Sequence, residues 1–179
     1  MAELQRPTMP DPWVVRFQGL IPPGGTVLDL ACGAGRHTKF LLERGYKVLA
    51  LDRDISQLQV AGAESLQADI EAGPWPLAGR TFDGIVVTYY LHRPLMKILA
   101  DSLNPDGVLI YLTFAVGNEK FGRPTNPDFL LKPGELFETY AGLLDIVAYE
   151  TGETAVPRPS LIQAICAVKS PTRPPVLPG

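Results

Sequence analysis

Short apolar runs alternate with segments of helical spacing along most of the chain. The apolar runs predict strands at residues 26–31, 47–51, 65–68, 84–88, 108–113, 144–149 and 161–168. The segments of helical spacing predict helices at residues 36–44, 55–63, 95–103 and 135–141. Strands separated by helices predict βαβ units with right-handed crossovers, and so a doubly wound α/β fold with a mostly parallel sheet.

Three segments fall outside this alternation. Residues 1–22 are rich in proline and predict an arm or short helix, in which Trp13 and Phe17 either close a pocket or pack on the surface. Residues 117–132 predict a long loop, and loops of that length in compact domains are usually functional. Residues 171–179 predict a flexible tail. One domain is therefore expected at residues 23–170.

The connection between the first strand and the first helix carries Gly33 and Gly35. Missing side chains there let a ligand approach the backbone, and the amides at the helix start can receive an anion. Asp52 follows 19 residues after Gly33, at the end of the second strand, where this architecture offers a carboxylate to ribose hydroxyls. The alternatives are an ordinary tight turn at the glycines and a helix cap at Asp52.

Two further positions extend this edge toward an adenosine. Asp69 and the amide of Ile70 follow the third strand and could meet an adenine ring, although Asp69 could equally cap a turn before Glu71. Arg36 at the helix start could hold a carboxylate, or could face solvent.

Composition limits the class of protein. The 179 residues carry a formal net charge of −3 and no run of basic residues, which disfavours nucleic acid as a partner. The start of the chain lacks the apolar stretch of a signal peptide, and no apolar run reaches the length of a membrane span, so a cytoplasmic monomer or homodimer is expected. Cys32 and Cys166 are interpreted as small buried residues, and no metal site is predicted.

Four segments together resemble the successive motifs of class I S-adenosylmethionine-dependent methyltransferases. They are Val27–Thr38, Leu51-Asp-Arg-Asp54, Gln67-Ala-Asp69 and Phe82-Asp-Gly-Ile-Val-Val87. The compact form is similar to small bacterial methyltransferases of the tellurite-resistance-like type, as is Phe129-Leu-Leu-Lys-Pro-Gly-Glu135. The resemblance implies a Rossmann-like seven-stranded sheet whose last strand runs antiparallel. Ala31 departs from the pattern, because many members carry glycine there.

The resemblance also implies how S-adenosylmethionine is bound. Its methionine end would lie over Gly33 and Gly35, its ribose on Asp52 and its adenine near Asp69, with Asp29 orienting the amino group. The full set of candidate cofactor-binding residues is Asp29, Ala31, Gly33, Gly35, Arg36, Asp52, Arg53, Asp69, Ile70 and Thr88.

The end of the fourth strand is the candidate acceptor side. Tyr89 and Tyr90 could wall the methyl group, His92 could take a proton, and Arg93 could bind an acidic substrate. The alternative packs one tyrosine in the core and leaves His92 and Arg93 in solvent. His37 is interpreted as structural or exposed. The loop at residues 117–132 could cover this side with Asn118, Glu119, Phe121, Arg123, Asn126 and Phe129.

The expected function is methyl transfer to a small-molecule acceptor by direct displacement, which requires alignment and exclusion of water rather than a catalytic dyad. Arg93 and Arg123 favour an acidic or oxyanion-like acceptor, with a thiol or chalcogen second. A non-catalytic cofactor-binding regulatory protein is the first alternative. An NAD-dependent oxidoreductase is the second, although Thr38 replaces the third glycine of its motif.

Overall fold

Seven strands form one sheet in the computed structural model, which describes residues 8–178. The strands are β1 (Thr26–Leu30), β2 (Lys47–Asp52), β3 (Glu64–Gln67), β4 (Phe82–Thr88), β5 (Leu103–Phe114), β6 (Asp145–Thr154) and β7 (Ser160–Val168). Their order is β3-β2-β1-β4-β5-β7-β6, and β7 alone runs antiparallel to its neighbours β5 and β6. The predicted fold, mostly parallel with an antiparallel last strand, is therefore confirmed.

Helices cover both faces of this sheet. They are α1 (Pro12–Phe17), α2 (Arg36–Glu43), α3 (Leu95–Asp101) and α4 (Glu135–Tyr140). Successive residues of a strand point to opposite faces, so the central strands divide their apolar side chains between two cores. Phe17 and Leu41 join the core under α1 and α2, whereas Leu99 and Leu136 join the core under α3 and α4.

The helix predicted at residues 55–63 is absent, and that prediction is wrong. Residues 53–63 connect β2 to β3 through turns. A nine-residue helix would leave two residues for both of its connections, which is too short for a crossover between parallel strands. Leu58 and Val60 instead pack onto the turn at Gly35. The edge strand β3 consequently has no helix beside it and is largely exposed.

The N-terminal segment packs into the fold. Trp13 is 7% exposed, and its indole Nε1 donates to the carbonyl oxygen of Ile165 at 3.1 Å. The ring of Phe17 lies 4.6 Å from the Trp13 ring in the same core. These two side chains therefore pack into the core, while residues 1–7 of the expected arm lie outside the described residues.

The long loop and the tail are both attached to the sheet. Two short 3-10 helices, Asn118–Phe121 and Pro127–Phe129, occupy the loop, and a bridge between Ala115 and Leu131 joins its ends. In the tail, the Thr172 amide donates to the Asp106 carboxylate at 2.7 Å; residue 179 lies outside the described residues. Across residues 8–178, no helix has the length and apolar character needed to cross a membrane.

Candidate functional site

The glycine turn after β1 meets the end of β2 at the carboxyl edge of the sheet. The Gly33 amide donates to Asp52 Oδ2 at 2.8 Å, and Asp52 Oδ1 accepts from the Asp54 amide at 3.0 Å. The strand order reverses between β1 and β4, which is where doubly wound sheets bind ligands. The structure thus brings together the turn and the acid that sequence placed 19 residues apart.

The two glycines of this turn have different surroundings. At Gly33, no atom of the described residues, apart from the chain neighbours, lies within 4 Å of the position that a Cβ would take. At Gly35, a Cβ would lie 2.4 Å from Leu58 Cδ1 and 2.9 Å from Val60 Cγ2. Gly33 therefore offers open backbone, whereas the protein's own side chains occupy the space beside Gly35.

Ala31 and Cys32 precede the open glycine. β1 ends at Leu30, and Ala31 adopts a φ of 55°, so it does not belong to the strand end as expected from sequence. Left-handed backbone at this position explains why glycine suits it. Burial raises the pKa of the Cys32 thiol to about 12, which keeps it protonated and supports its interpretation as a small buried residue.

Asp29 lies below the turn and is buried. The hydroxyl of Thr38 on α2 donates to Asp29 Oδ2 at 2.5 Å. Burial raises the pKa of Asp29 to about 6, although the Thr38 hydrogen bonds and the charge of Arg36 oppose the rise. This contact ties the start of α2 to β1 and holds the glycine turn in place.

The residues expected near adenine lie after β3. Asp69 Oδ1 accepts from the amides of Glu71 and Ala72 at 3.0 and 3.2 Å, so this acid does cap a turn. Ile70 is buried against the core, and Arg53 is exposed beside Asp52. The turn at Asp69 stands at the carboxyl end of β3, next to the end of β2.

His37 connects three elements at the methionine end of the predicted site. Its Nε2 accepts from the Asp11 amide at 3.0 Å, which places the ring proton on Nδ1, 3.4 Å from Thr88 Oγ1. Burial, with a smaller effect from Arg36, lowers the pKa of His37 to about 3 and keeps it neutral. This residue therefore has the structural role that one reading of the sequence gave it.

The two tyrosines after β4 point to opposite faces of the sheet. Tyr89, at a φ of 56°, packs on the α1 side and donates to Asp11 Oδ2 at 2.7 Å. Tyr90 packs on the α3 side. Burial raises the pKa of the Tyr90 hydroxyl, and the nearby Glu71 carboxylate raises it further. Only Tyr89 therefore stands beside Arg36, whose Cζ lies 5.6 Å from the centre of its ring.

Arg93 is engaged within the protein. Its Nε and Nη2 donate to the Glu135 carboxylate at 2.6 and 3.0 Å, while Nη1 and Nη2 donate to the carbonyl oxygens of Asp128 and Leu130 at 2.8 and 2.9 Å. Partial burial alone would raise the pKa of Glu135, but Arg93 and the Lys132 amide lower it below its ordinary value. These contacts leave Arg93 one N–H for a substrate, so the expected acid-binding role has little support. His92 is half-buried.

Comparison with known proteins agrees with this geometry. Residues 27–107 match the family model of a methyltransferase domain. The chain is 33% identical over 104 residues to malonyl-(acyl-carrier protein) O-methyltransferase of Serratia marcescens, a match covering 54% of this chain and 41% of that protein. The chain is thus similar to methyltransferases over residues 27–107, which is less than half of its length.

Solved structures show the same fold. TehB from Haemophilus influenzae superposes with a TM-score of 0.69 at 22% identity, covering 87% of this chain and 61% of that one. A TehB-like S-adenosylmethionine-dependent methyltransferase from Corynebacterium glutamicum gives a TM-score of 0.62 at 20% identity, covering 88% and 86%. The aligned part of the chain spans less than half the length of the curated relatives it matches.

S-adenosylmethionine is the cofactor indicated by the match to a methyltransferase domain. The residues present fit that molecule at two points, because the backbone at Gly33 is open to a ligand and the Asp52 carboxylate is only partly buried beside it. Gly35 contributes backbone geometry at the start of α2 rather than open surface.

Several residues around the candidate site were missed in the sequence. Three of them are distant in sequence from the residues that they contact: Asp11 bonds Tyr89, Glu135 bonds Arg93, and Arg158 lies over Phe114. Their segments were interpreted as an arm, a helix start and a connection. Thr38 carried a weak signal, because it lies one helical turn after Gly35 and so close to the end of β1. The long-range contacts had no local pattern to reveal them.

Proposed function

We propose that this chain transfers a methyl group from S-adenosylmethionine to a small-molecule acceptor. The hydrogen bond between the Gly33 amide and Asp52 carries the proposal, because it joins an open stretch of backbone to an acid at the switch point of the sheet. The match of residues 27–107 to a methyltransferase domain supports the same activity.

The cofactor supplies an electrophilic methyl group on a sulfonium, so the chain has to align the acceptor and exclude water. Gly33 would receive the amino-acid portion against its backbone, and Asp52 would accept hydrogen bonds from the ribose hydroxyls. Asp69 and the Ile70 amide would contact adenine. Arg36 and Thr88 lie at the other end of the site, where the methionine portion would be bound. Asp29 would act through the turn that it supports.

The acceptor would enter beside Tyr89. The Tyr89 ring lies next to Arg36, the residue that directly follows the glycine turn. Tyr89 is therefore at the end of the site where the methyl group would lie. His92 is available as a base for an acceptor hydroxyl or thiol. Tyr90, on the opposite face, is placed to support the adenine side through its proximity to Glu71 and Asp69.

Calorimetric titration with S-adenosylmethionine, S-adenosylhomocysteine and NAD tests the proposal. We expect the first two to bind and NAD to bind no more than weakly. Asp52→Ala should lower affinity by roughly 10- to 100-fold, because a charged acceptor of two hydroxyl groups is lost. Asp54→Ala, two residues further along the same turn, is the matched control and should change affinity little.

The thermal unfolding of each variant shows whether Asp52→Ala still folds, since Asp52 also bonds the Gly33 amide. Tight NAD binding without the other two ligands would overturn the assignment. Equal S-adenosylhomocysteine affinity in the folded Asp52→Ala variant and the wild type would remove Asp52 from the site.

A further inference from the structure

Two guanidinium groups flank a pair of aromatic rings at the ends of β4 and β5. The rings of Tyr89 and Phe114 have centroids 5.1 Å apart. Arg36 Cζ lies 5.6 Å from the Tyr89 centroid, and Arg158 Cζ lies 5.3 Å from the Phe114 centroid. These four residues, here called the arginine–aromatic cluster, come from α2, the residue after β4, the end of β5 and the connection before β7.

Both guanidinium groups affect the pKa of the same side chain, Tyr89. Burial and the Asp11 carboxylate raise the pKa of the Tyr89 hydroxyl, while the positive charges of Arg36 and Arg158 oppose that rise. Arg158 is exposed, and within residues 8–178 no carboxylate forms an ion pair with it. Arg36 donates to the carbonyl oxygen of Met9 at 3.2 Å and also lacks a carboxylate partner in the described part of the chain.

A cavity of about 240 Å³ is lined by two residues that contact the cluster, although none of the four cluster residues lines it. Asp11, which accepts from Tyr89, and Ile162, which pairs with Phe114 across the sheet, both line it. A volume of this order accommodates a small molecule rather than a polymer.

The acids around this cavity already have partners. Glu150 pairs with Arg16 at 3.0 Å, and Glu153 pairs with Lys120. The Asp11 carboxylate accepts from the Tyr89 hydroxyl and from the Trp13 amide. Glu150 and Glu153 are therefore neutralised. The two arginines and the Asp11 carboxylate, whose two donors are uncharged, have no counterion in the described part of the chain.

We infer that the arginine–aromatic cluster binds the methyl acceptor and that this acceptor is a small anion, held through a carboxylate or similar oxyanion by Arg158 with Arg36. The inference rests on the proposed methyl transfer. Sequence favoured Arg93 and Arg123 for the same chemistry. Arg93 is bound to Glu135, and Arg158 rather than Arg123 lies over an aromatic ring of the cluster. Guanidinium groups bind carboxylates through paired, charge-assisted hydrogen bonds, which a neutral amide cannot match.

Binding of two matched probes to the protein saturated with S-adenosylhomocysteine tests this inference. The probes are 4-hydroxybenzoate and its neutral analogue 4-hydroxybenzamide, with dissociation constants measured by calorimetry. We expect the acid to bind more tightly, and Arg158→Gln to weaken its binding by about tenfold while leaving the amide unaffected. Arg173→Gln, an exposed arginine of the tail, is the control and should match the wild type.

Measuring S-adenosylhomocysteine affinity first in every variant separates the two proposals. If it is intact, equal binding of acid and amide, an unchanged Arg158→Gln, or no binding of either probe at millimolar concentration overturns the anionic acceptor and leaves methyl transfer standing. If the wild-type protein does not bind S-adenosylhomocysteine, the proposed function fails, and the inference fails with it.

Discussion

Ala31 shows how a single residue can carry strain at a site. Its φ of 55° places a Cβ in the left-handed region, where the side chain crowds the following carbonyl. The two glycines that follow have the same sign of φ without that cost. The strain lies directly beside the open backbone at Gly33, so the turn keeps its shape at the expense of some stability.

Ala31→Gly should therefore raise the free energy of unfolding by about 1 kcal/mol, because the strained Cβ is removed. Urea unfolding measures the change. Ala34→Gly is the matched control in the same turn, where φ is not positive, and should lower stability by up to about 1 kcal/mol through greater freedom of the unfolded chain. Equal effects of the two substitutions would contradict the argument.

At the scale of elements, periodicity predicted the sheet well because the central strands β1, β2, β4 and β5 each contain a run of buried, mostly apolar residues. It failed at residues 55–63, where Ile55, Leu58 and Val60 have spacing that suits either a helix or an irregular segment packed on Gly35. The length of the crossover decides between them, and periodicity takes no account of length. The candidate cofactor residues could be proposed from sequence because they follow strand ends, whereas the candidate acceptor side depends on contacts across the sheet.

The loop at residues 117–132 depends on one such contact. Arg93 is separated by 42 residues from Glu135 and joins the loop, α4 and the end of β4. Arg93→Lys keeps the charge but loses the planar fork, and should cost about 1–2 kcal/mol of stability because several hydrogen bonds to a charged group are lost at a partly exposed site. It should also speed proteolytic cleavage within the loop.

Unfolding in urea and limited proteolysis measure these two effects. Lys97→Ala removes an exposed ion pair with Asp101 on α3 and should change neither by a comparable amount. Cleavage of the loop at the wild-type rate in Arg93→Lys would show that Arg93 does not anchor it.

For the whole molecule, two buried groups give opposite dependences of stability on pH. Unfolding returns the pKa of His37 from about 3 to 6.5, so below 6.5 the unfolded chain binds a proton that the folded protein does not, and stability rises with pH. Unfolding returns the pKa of Asp29 from about 6 to 3.8, so between those values the folded protein holds the extra proton, and stability falls with pH. The two contributions oppose each other between pH values of about 4 and about 6.

His37→Gln should expose the contribution of Asp29, since glutamine does not titrate and its amide oxygen can still accept from the Asp11 amide. The free energy of unfolding of wild type minus that of His37→Gln should increase by about 1.4 kcal/mol per pH unit across this range. Urea unfolding at several pH values measures it. Parallel curves for the two proteins would mean that His37 is not held neutral by folding.

In the part of the chain that the structure describes, no helix covers β3, and this makes the resistance of the protein to proteolysis depend on its ligand. The strand β3 on that side is largely exposed, so the native state would open readily there, and Asp52 and Asp69 border it. An adenosine bound between those acids would hold this exposed segment closed. Where S-adenosylmethionine is scarce, cellular proteases would then meet this edge first, and the abundance of the protein would follow the supply of its methyl donor.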